Sequence, residues 1–409
     1  MARQQQLLSG SAAARPEPLS QTWLLLAALV LTGLSMRTAV TSVGAVLDDL
    51  ESALHVSSGA AGLITTLPVI CFAAMGSLTP RLSHRFGAQR LLVASLLLMT
   101  LGLVLRAVVG SIWAFLLLSV LALSGGAISN VLMPSLVKRH FRDHIGRMTA
   151  VYTTALAVGL TASAGLTVPI GRLGDGWRLG LGAWALLSAV AVLPWLPTLR
   201  RDRPDPAAER GMSANRLVHS RTAWLLMVFF ASQSLQAYIA FGWFAKFLHA
   251  HGLSSDRAGW MVALIAAVSI PVSMVVPAVE PKRHRVVIAG LSACSLAAYV
   301  GLAVAPAGGA WAWMVLTGIG GGTFPMSLAM IGLRARTAET TAALSAFVQA
   351  IGYIVAGTGP LLFGVFYGAT GAWALSLGLL FIALAISFGS GWLACRTTYV
   401  DDELAEFVA

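Results

Sequence analysis

Twelve stretches of about twenty mostly apolar residues divide this 409-residue sequence and constrain its fold more than any other feature. A helix needs roughly 20 apolar residues to cross the hydrocarbon core of a bilayer. Charged residues make up only 11% of the chain, against about 25% in an average soluble domain. Each stretch therefore predicts a transmembrane helix, and the chain is predicted to be an all-α membrane protein. The predicted spans are residues 22–47, 59–79, 90–109, 112–136, 146–170, 178–199, 221–248, 257–279, 286–305, 311–333, 340–366 and 373–395.

The lysines and arginines are unevenly divided between the two ends of these spans. If the N-terminus is cytoplasmic, 21 of the 27 fall in cytoplasmic segments and only five, Arg106 among them, in external ones. Cytoplasmic enrichment of this kind sets the orientation of membrane proteins, so both termini are predicted to be cytoplasmic. The net charge of +11 is then an orientation signal, and no nucleic-acid partner is expected.

A charged, proline-containing segment after the sixth span separates the chain into two halves. It reads as a cytoplasmic linker between two six-helix bundles. The predicted units are an N-terminal cytoplasmic tail, the first bundle, the linker, the second bundle and a C-terminal cytoplasmic tail. Their bounds are 1–21, 22–199, 200–220, 221–395 and 396–409.

The two halves repeat each other. Residues 56–62, before the second span, match residues 253–259, before the eighth. The same spacing of 35 residues separates two pairs of prolines in corresponding spans, Pro134 with Pro169 and Pro325 with Pro360. Parallel six-span halves are the architecture of major facilitator transporters, in which the solute site lies between the halves near the middle of the bilayer.

Arg37 is the only charged residue predicted deep within a span. A charge at that depth costs roughly 2.5–3.5 kcal/mol and is taken as functional by default. None of the sixteen acidic residues is predicted in mid-span, and Asp48 lies about 16 Å further along the same helix. Arg37 therefore meets an anionic or electron-rich solute, or else backbone carbonyls and water satisfy it.

Five segments carry a resemblance to a known family: residues 36–44, 65–69, 130–139, 152–157 and 344–353. They resemble signatures of the cyanate/2-nitroimidazole porter family within the major facilitator superfamily. The resemblance extends over all twelve spans and implies transport of a small solute across the bacterial inner membrane. It also implies that Arg37 lies on the central pathway. Members differ in their substrates, so the resemblance names none.

Polar and aromatic residues within the spans are the candidates for lining a solute pathway. The guanidinium of Arg37 offers a fork of donors that suits a small or planar anion. Asn130 either binds solute or bonds to a neighbouring helix, and the aromatic residues either line the pathway or face lipid. Gln349 and Tyr353 share one helix face because they are four residues apart. The predicted solute-binding residues are Arg37, Asn130, Tyr152, Tyr238, Phe241, Gln349 and Tyr353.

The loop after the second span departs from the superfamily pattern. His84 stands where the superfamily usually has an acidic residue, so a gate that depends on an acid there is in doubt. Asp143, Glu280 and Glu339 each lie near lysine or arginine and are the other gating candidates. Each of them either pairs across the gate or is a solvated loop charge.

No enzymatic or metal-binding pattern stands out. The three cysteines fall in different spans, and all eight histidines fall in loops or at span ends. We therefore expect no enzyme activity, no metal and no cofactor. Without a mid-span acid or histidine, three transport modes stay open: uniport, anion exchange, and symport in which the solute brings its own proton.

The sequence thus predicts a monomeric major facilitator transporter in the lipid bilayer for a small anionic or weakly acidic solute, cyanate-like or heteroaromatic in kind. A drug-efflux carrier is the alternative, but efflux of apolar or cationic compounds predicts a buried acid. A non-transporting sensor would need an output domain, and the tails show no folded pattern.

Overall fold

The computed structural model describes residues 19–54, 58–201, 214–396 and 398–408. Residues 1–18 of the predicted N-terminal tail and most of the predicted linker lie outside these residues. Over the described part, the secondary structure consists of α-helices and short 3-10 helices, with no strand.

The described residues include eleven helical segments long and apolar enough to cross a membrane, and each coincides with a predicted span. The second predicted span coincides with the 29-residue helix Ser58–Phe86. The twelve-span, all-helical fold is therefore confirmed. The eleven segments are Trp23–Ala45, Ala88–Val108, Ile112–His140, Arg142–Gly171, Trp177–Leu199, Arg221–Ala250, Arg257–Ala278, Pro281–Val304, Ala310–Leu333, Ala338–Thr370 and Ala374–Ala394.

The first span is broken where it carries its charge. It consists of the helices Leu19–Ser35 and Thr38–Ala45, with Met36 and Arg37 in a turn between them. Backbone groups freed by a break inside a membrane must find other partners. Here the Thr38 hydroxyl donates to the Ser35 carbonyl over 2.9 Å. The break therefore turns the backbone at Arg37 without leaving that carbonyl unsatisfied.

Two further spans are interrupted. The tenth consists of Ala310–Gly320 and Thr323–Leu333. The sixth consists of Trp177–Gly182 and Trp184–Val192, followed by the 3-10 segment Leu193–Arg201. The first, sixth and tenth spans are therefore each built from more than one helix.

The eleventh span is the longest helix and exceeds its predicted bounds at both ends. It runs over Ala338–Thr370 and ends at Gly371, whose φ of 66° is a left-handed conformation that glycine adopts without a steric penalty. Its first turn is capped by Thr337, whose hydroxyl accepts a hydrogen bond from the Thr340 amide. A helix of this length projects beyond the hydrocarbon core.

The C-terminal segment contains a short helix that the sequence analysis did not predict. Val400–Val408 follows the last span and carries Asp401, Asp402 and Glu403 in its first turn, where carboxylates favour the helix dipole. The expectation that the C-terminal tail has no folded pattern was wrong.

The two halves pack tightly at one end of the bundle. A Cβ added at Gly76 would lie 2.9 Å from the Cα of Ala350, which belongs to the other half. A Cβ at Gly146 would likewise clash with the carbonyl oxygen of Pro277. We call the end that includes Gly146, Pro277 and the C-terminal helix the linker face.

Candidate functional site

Arg37 lies between the two halves and is half-buried. Its Nη2 donates a 2.9 Å hydrogen bond to the hydroxyl of Tyr353 on the eleventh span. Its guanidinium carbon is 4.8 Å from the centroid of the Phe72 ring, within the range of a cation–π interaction. Arg37 is thus held by a phenol and an aromatic face, and none of its described contacts is a carboxylate.

Tyr353 is the centre of an aromatic cluster. Its ring centroid is 5.1 Å from those of Phe72 and Phe230, at nearly perpendicular ring planes, and 6.5 Å from that of Tyr238. Edge-to-face pairs of this geometry contribute about 0.5–1.5 kcal/mol beyond their burial. Tyr353 itself is only 1% exposed, so its ring and hydroxyl are fixed from several sides.

Two amide side chains join the halves beside this cluster. The Nδ2 of Asn130, on the fourth span, donates to the Oε1 of Gln349 on the eleventh and to the Tyr353 hydroxyl over 3.3 Å. Gln349 in turn donates to the Ser345 hydroxyl over 2.7 Å. The Oδ1 of Asn130 is buried and has no hydrogen-bond partner among the described groups. Its position leaves an acceptor available between the halves.

The remaining predicted solute-binding residues lie on different sides of this network. Tyr152 is 1% exposed, lies near Tyr353, and has no partner for its hydroxyl among the described groups. Tyr238 lies near Arg37, with its ring centroid 6.5 Å from that of Tyr353. Phe241 is 44% exposed and has no described ring contact. The structure therefore brings every predicted site residue except Phe241 to Tyr353 or its immediate partners.

The predicted gating residues do not form a network in the described part of the chain. His84 lies in the last turn of its helix and is half-exposed. Asp143, Glu280 and Glu339 are exposed, and the described contacts give their carboxylates no ion pair. Their role in gating stays a prediction.

A lysine two residues beyond the predicted end of the fourth span connects the halves at the linker face. Lys138 lies in the last turn of the helix Ile112–His140 and is 7% exposed. Its Nζ donates to the carbonyl of Gly332 over 2.9 Å and to that of Ala335. These acceptors lie at the end of the helix Thr323–Leu333, where the dipole favours a cation. The helix extends past the predicted bound of its span and buries Lys138.

The C-terminal helix secures the same region. Glu403 accepts hydrogen bonds from the Ser220 hydroxyl and from the amide and hydroxyl of Thr222, so it caps the start of the seventh span. Asp402 pairs with Arg336 over 2.8 Å at the surface. That hydrogen bond, together with the positive charge of Arg336, holds the pKa of Asp402 below its usual value.

Sequence reasoning also missed two aromatic partners and a second buried arginine. Phe72 and Phe230 carry no polar group that would mark them. Phe230 precedes Tyr238 by eight residues, or about two helical turns. This helical spacing from a predicted site residue was the signal in the sequence that could have indicated Phe230. Arg106 is 0% exposed, whereas the sequence analysis counted it among the external charges. Its position near a span end had suggested an interfacial residue.

Together these residues form a site with one cation, several neutral donors and acceptors, and aromatic walls. A solute can reach the half-buried guanidinium without displacing a carboxylate. The Asn130 Oδ1 and the Tyr152 hydroxyl are the buried polar atoms of the site without a described partner, and the buried rings of Phe72 and Tyr353 form its aromatic wall. Among the described residues, no group of three histidine, cysteine, aspartate or glutamate side chains is placed to hold a metal ion.

Comparison with known proteins gives matches over most of the chain. A family model described as Major Facilitator Superfamily matches residues 24–360. The chain is 33% identical to the Uncharacterized transporter YycB of Bacillus subtilis (strain 168), over 93% of this chain and 95% of the relative. It is 31% identical to the 2-nitroimidazole transporter of Escherichia coli (strain K12), over 86% and 90%, respectively. It is 28% identical to the Cyanate transport protein CynX of the same organism, over 85% and 91%.

Solved structures share the fold. The proton:xylose symporter XylE superposes with a TM-score of 0.71 at 14% identity, over 95% of this chain and 99% of that structure. The transporter FucP superposes with a TM-score of 0.72 at 12% identity, over 90% and 98%. At this level of identity the likeness concerns the arrangement of the helices.

Proposed function

We propose, from the premise that this chain belongs to the major facilitator superfamily, that it carries a small anionic or weakly acidic solute by alternating access around Arg37. The solute is cyanate-like or heteroaromatic. As a member of that superfamily the chain is a multi-pass membrane transporter and not an enzyme. The assignment of the solute class rests on the residues around Arg37.

The observation that carries the proposal is the environment of Arg37. Its described partners are the Tyr353 hydroxyl and the aromatic rings of Phe72 and Tyr353, all of them neutral. A buried cation is usually paired, and removing a cation from water is offset best by an opposite charge with good geometry. An anionic solute supplies that charge while it is bound.

The groups around the cation favour a planar solute with a second polar atom. Asn130 presents a buried acceptor without a described partner, and Tyr152 a buried hydroxyl. A protonated ring nitrogen can donate to the former while a deprotonated or electron-rich atom accepts from Arg37. The rings of Tyr353 and Phe72, packed edge to face with 5.1 Å between centroids, form the aromatic wall beside the cation.

The names of two relatives agree with this solute class. One is a 2-nitroimidazole transporter and the other a cyanate transport protein, so one relative handles a heteroaromatic ring and the other a small linear anion. The drug-efflux alternative has less support, because no acid lies among the described contacts of the site.

The contacts at the linker face support a particular direction of access. Lys138 and the close approach of Gly146 to Pro277 join the halves at that face, while Arg37 is half-buried. We propose that the halves, residues 22–199 and 221–395, rock about the site and that the linker face is cytoplasmic. The membrane is the bacterial inner membrane, and the transporter works as a monomer.

The test is uptake by proteoliposomes that contain the purified protein. Labelled cyanate, a weakly acidic azole and a neutral azole of the same size should be compared. We expect saturable uptake of the first two, and Arg37→Ala should lower it at least about 30-fold, since losing one partner of a buried charge pair costs 2 kcal/mol or more. Arg37→Lys should recover little, because a lysine lacks the planar fork.

Lys246→Ala is the matched control. Lys246 is an exposed cation above the rings of Trp243 and Tyr367, so its loss should leave uptake close to wild type. Full uptake by Arg37→Ala, or preference for the neutral azole in the wild type, would contradict the proposal.

A further inference from the structure

Arg106 is a second buried cation, and no charged partner offsets it in the described structure. It lies in the last turn of the third span and is 0% exposed. Its Nη1 donates to the Ala39 carbonyl over 2.9 Å, and its Nη2 donates to the Ser42 hydroxyl over 3.1 Å. Its Nε is buried and has no described partner. The guanidinium is thus only partly satisfied, and entirely by neutral groups.

A small cavity adjoins this guanidinium. Arg106 and Ser119 supply its polar lining, and Leu67, Phe115 and other apolar side chains supply the rest. The Ser119 hydroxyl is 4% exposed and also has no described partner. One cation and one hydroxyl with unused hydrogen-bonding capacity therefore line the same apolar cavity.

The size of the cavity limits its occupant. About 20 Å³ is open to the centre of a water molecule, and one water needs about 10–15 Å³ on that measure. The space holds a single water or a monatomic anion and is too small for an aromatic ring. A water can bond to the free Nε but cannot offset the charge, and an unpaired charge away from water is costly.

We propose that the cavity beside Arg106 binds one small inorganic anion of halide size. The anion accepts hydrogen bonds from the Arg106 Nε and the Ser119 hydroxyl and offsets the charge of Arg106. The site differs from the solute site at Arg37 and does not depend on which solute is carried there. Because Arg106 also holds Ala39, two residues from Arg37, the bound anion stabilises the broken first span.

Bromide is the probe. The purified protein is kept in sodium gluconate, bromide is titrated, and the melting temperature is followed. We expect a saturable rise of a few degrees, since a ligand that binds only the folded state stabilises it by mass action. Crystals soaked in bromide should show one anomalous peak between Arg106 and Ser119.

Matched variants separate this site from its surroundings. Arg106→Gln should abolish the response, and Ser119→Val should raise its midpoint about tenfold. Arg178→Gln is the control, because Arg178 also donates to two backbone carbonyls, those of Ala107 and Val109, but does not line the cavity. Arg178→Gln and Arg37→Gln should keep the wild-type response.

Three outcomes would overturn the inference. They are no bromide response in the wild type, a normal response in Ser119→Val, and a response that persists in Arg106→Gln but disappears in Arg37→Gln. The last would place the halide at the solute site. If Arg106→Gln does not fold, the position of the anomalous peak and the Ser119→Val midpoint still decide. Solute uptake, measured separately, tests the proposed function.

Discussion

At the residue scale, the hydroxyl of Tyr353 accepts hydrogen bonds from two side chains of the site. The Tyr353 oxygen accepts from Arg37 over 2.9 Å and from Asn130 over 3.3 Å, so it connects the cation of the first half to an amide that also bonds to Gln349. The ring of Tyr353 packs between Phe72 and Phe230 independently of that oxygen. The hydroxyl can therefore be removed without removing the aromatic contacts.

Tyr353→Phe should raise the KM for the solute roughly tenfold and leave the melting temperature within a degree or two. A hydrogen bond to a charged group contributes about 1.5–3 kcal/mol, and without it Arg37 loses its orientation. Tyr367→Phe is the matched control, since Tyr367 stacks on Trp373 and has no described hydroxyl bond. An unchanged KM in Tyr353→Phe would show that this hydroxyl does not position Arg37.

The sequence indicated the polar members of the site but not their partners. Arg37, Asn130, Gln349 and Tyr353 stand out because polar side chains are rare inside spans. Their pairing depends on the register between the fourth and eleventh spans, which are separated by more than 200 residues. Nothing local in the sequence fixes that register, and an apolar partner such as Phe230 resembles every other core residue.

At the element scale, the C-terminal helix holds together two helix starts and a loop. Glu403 caps the seventh span, and Asp401 bonds to the Thr340 hydroxyl and the Arg336 amide. The amide of Val400 donates to the Arg334 carbonyl over 2.9 Å, next to the segment that receives Lys138. The acidic first turn was visible in the sequence, but its hydrogen-bond donors were not, because they come from two distant segments, residues 220–222 and 336–340.

Glu403→Gln should lower the melting temperature by several degrees, because the carboxylate accepts three hydrogen bonds at a helix start and each charge-assisted bond is stronger than a neutral one. Asp402→Asn is the control on the same helix. Its pair with Arg336 is exposed and screened by solvent, so a small change is expected. Equal losses in the two variants would contradict a special role for the cap.

The Asp402 pair also has a defined pH dependence. Because the pKa of this carboxyl is lowered in the folded protein, its contribution is complete above the ordinary aspartate pKa of about 3.9. The contribution is lost as the pH falls through the lowered value. Near neutral pH the contribution is therefore fully present and does not change with pH.

At the scale of the whole molecule, the number, length and repeat of the spans could be predicted, because bilayer thickness fixes helix length and polar backbone groups forbid alternatives. The breaks at Met36–Arg37 and at Gly321–Gly322 could not. They fall inside apolar runs, and only the packing of neighbouring spans decides whether such a run stays continuous. The burial of Arg106 was missed for the same reason.

Orientation is the prediction that belongs to the entire chain. In a cysteine-free background, Ala207→Cys and Ala405→Cys should be shielded from impermeant thiol reagents in intact cells, whereas Gly308→Cys should react. Ala405 and Gly308 are exposed, and Ala207 lies outside the described residues. All three should react after permeabilisation, which controls for accessibility. Labelling of Ala207→Cys in intact cells would reverse the topology.

Lys138 closes the linker face through two carbonyl oxygens, and a carbonyl keeps its partial charge whatever side chain its residue carries and whatever the pH. Substitutions at the receiving positions leave both acceptors in place, whereas any replacement of Lys138 removes the donors. Only a substitution of Lys138 itself therefore removes these two hydrogen bonds. In the proposed alternating-access cycle these two hydrogen bonds would break without transferring a proton, so this step by itself requires no proton coupling.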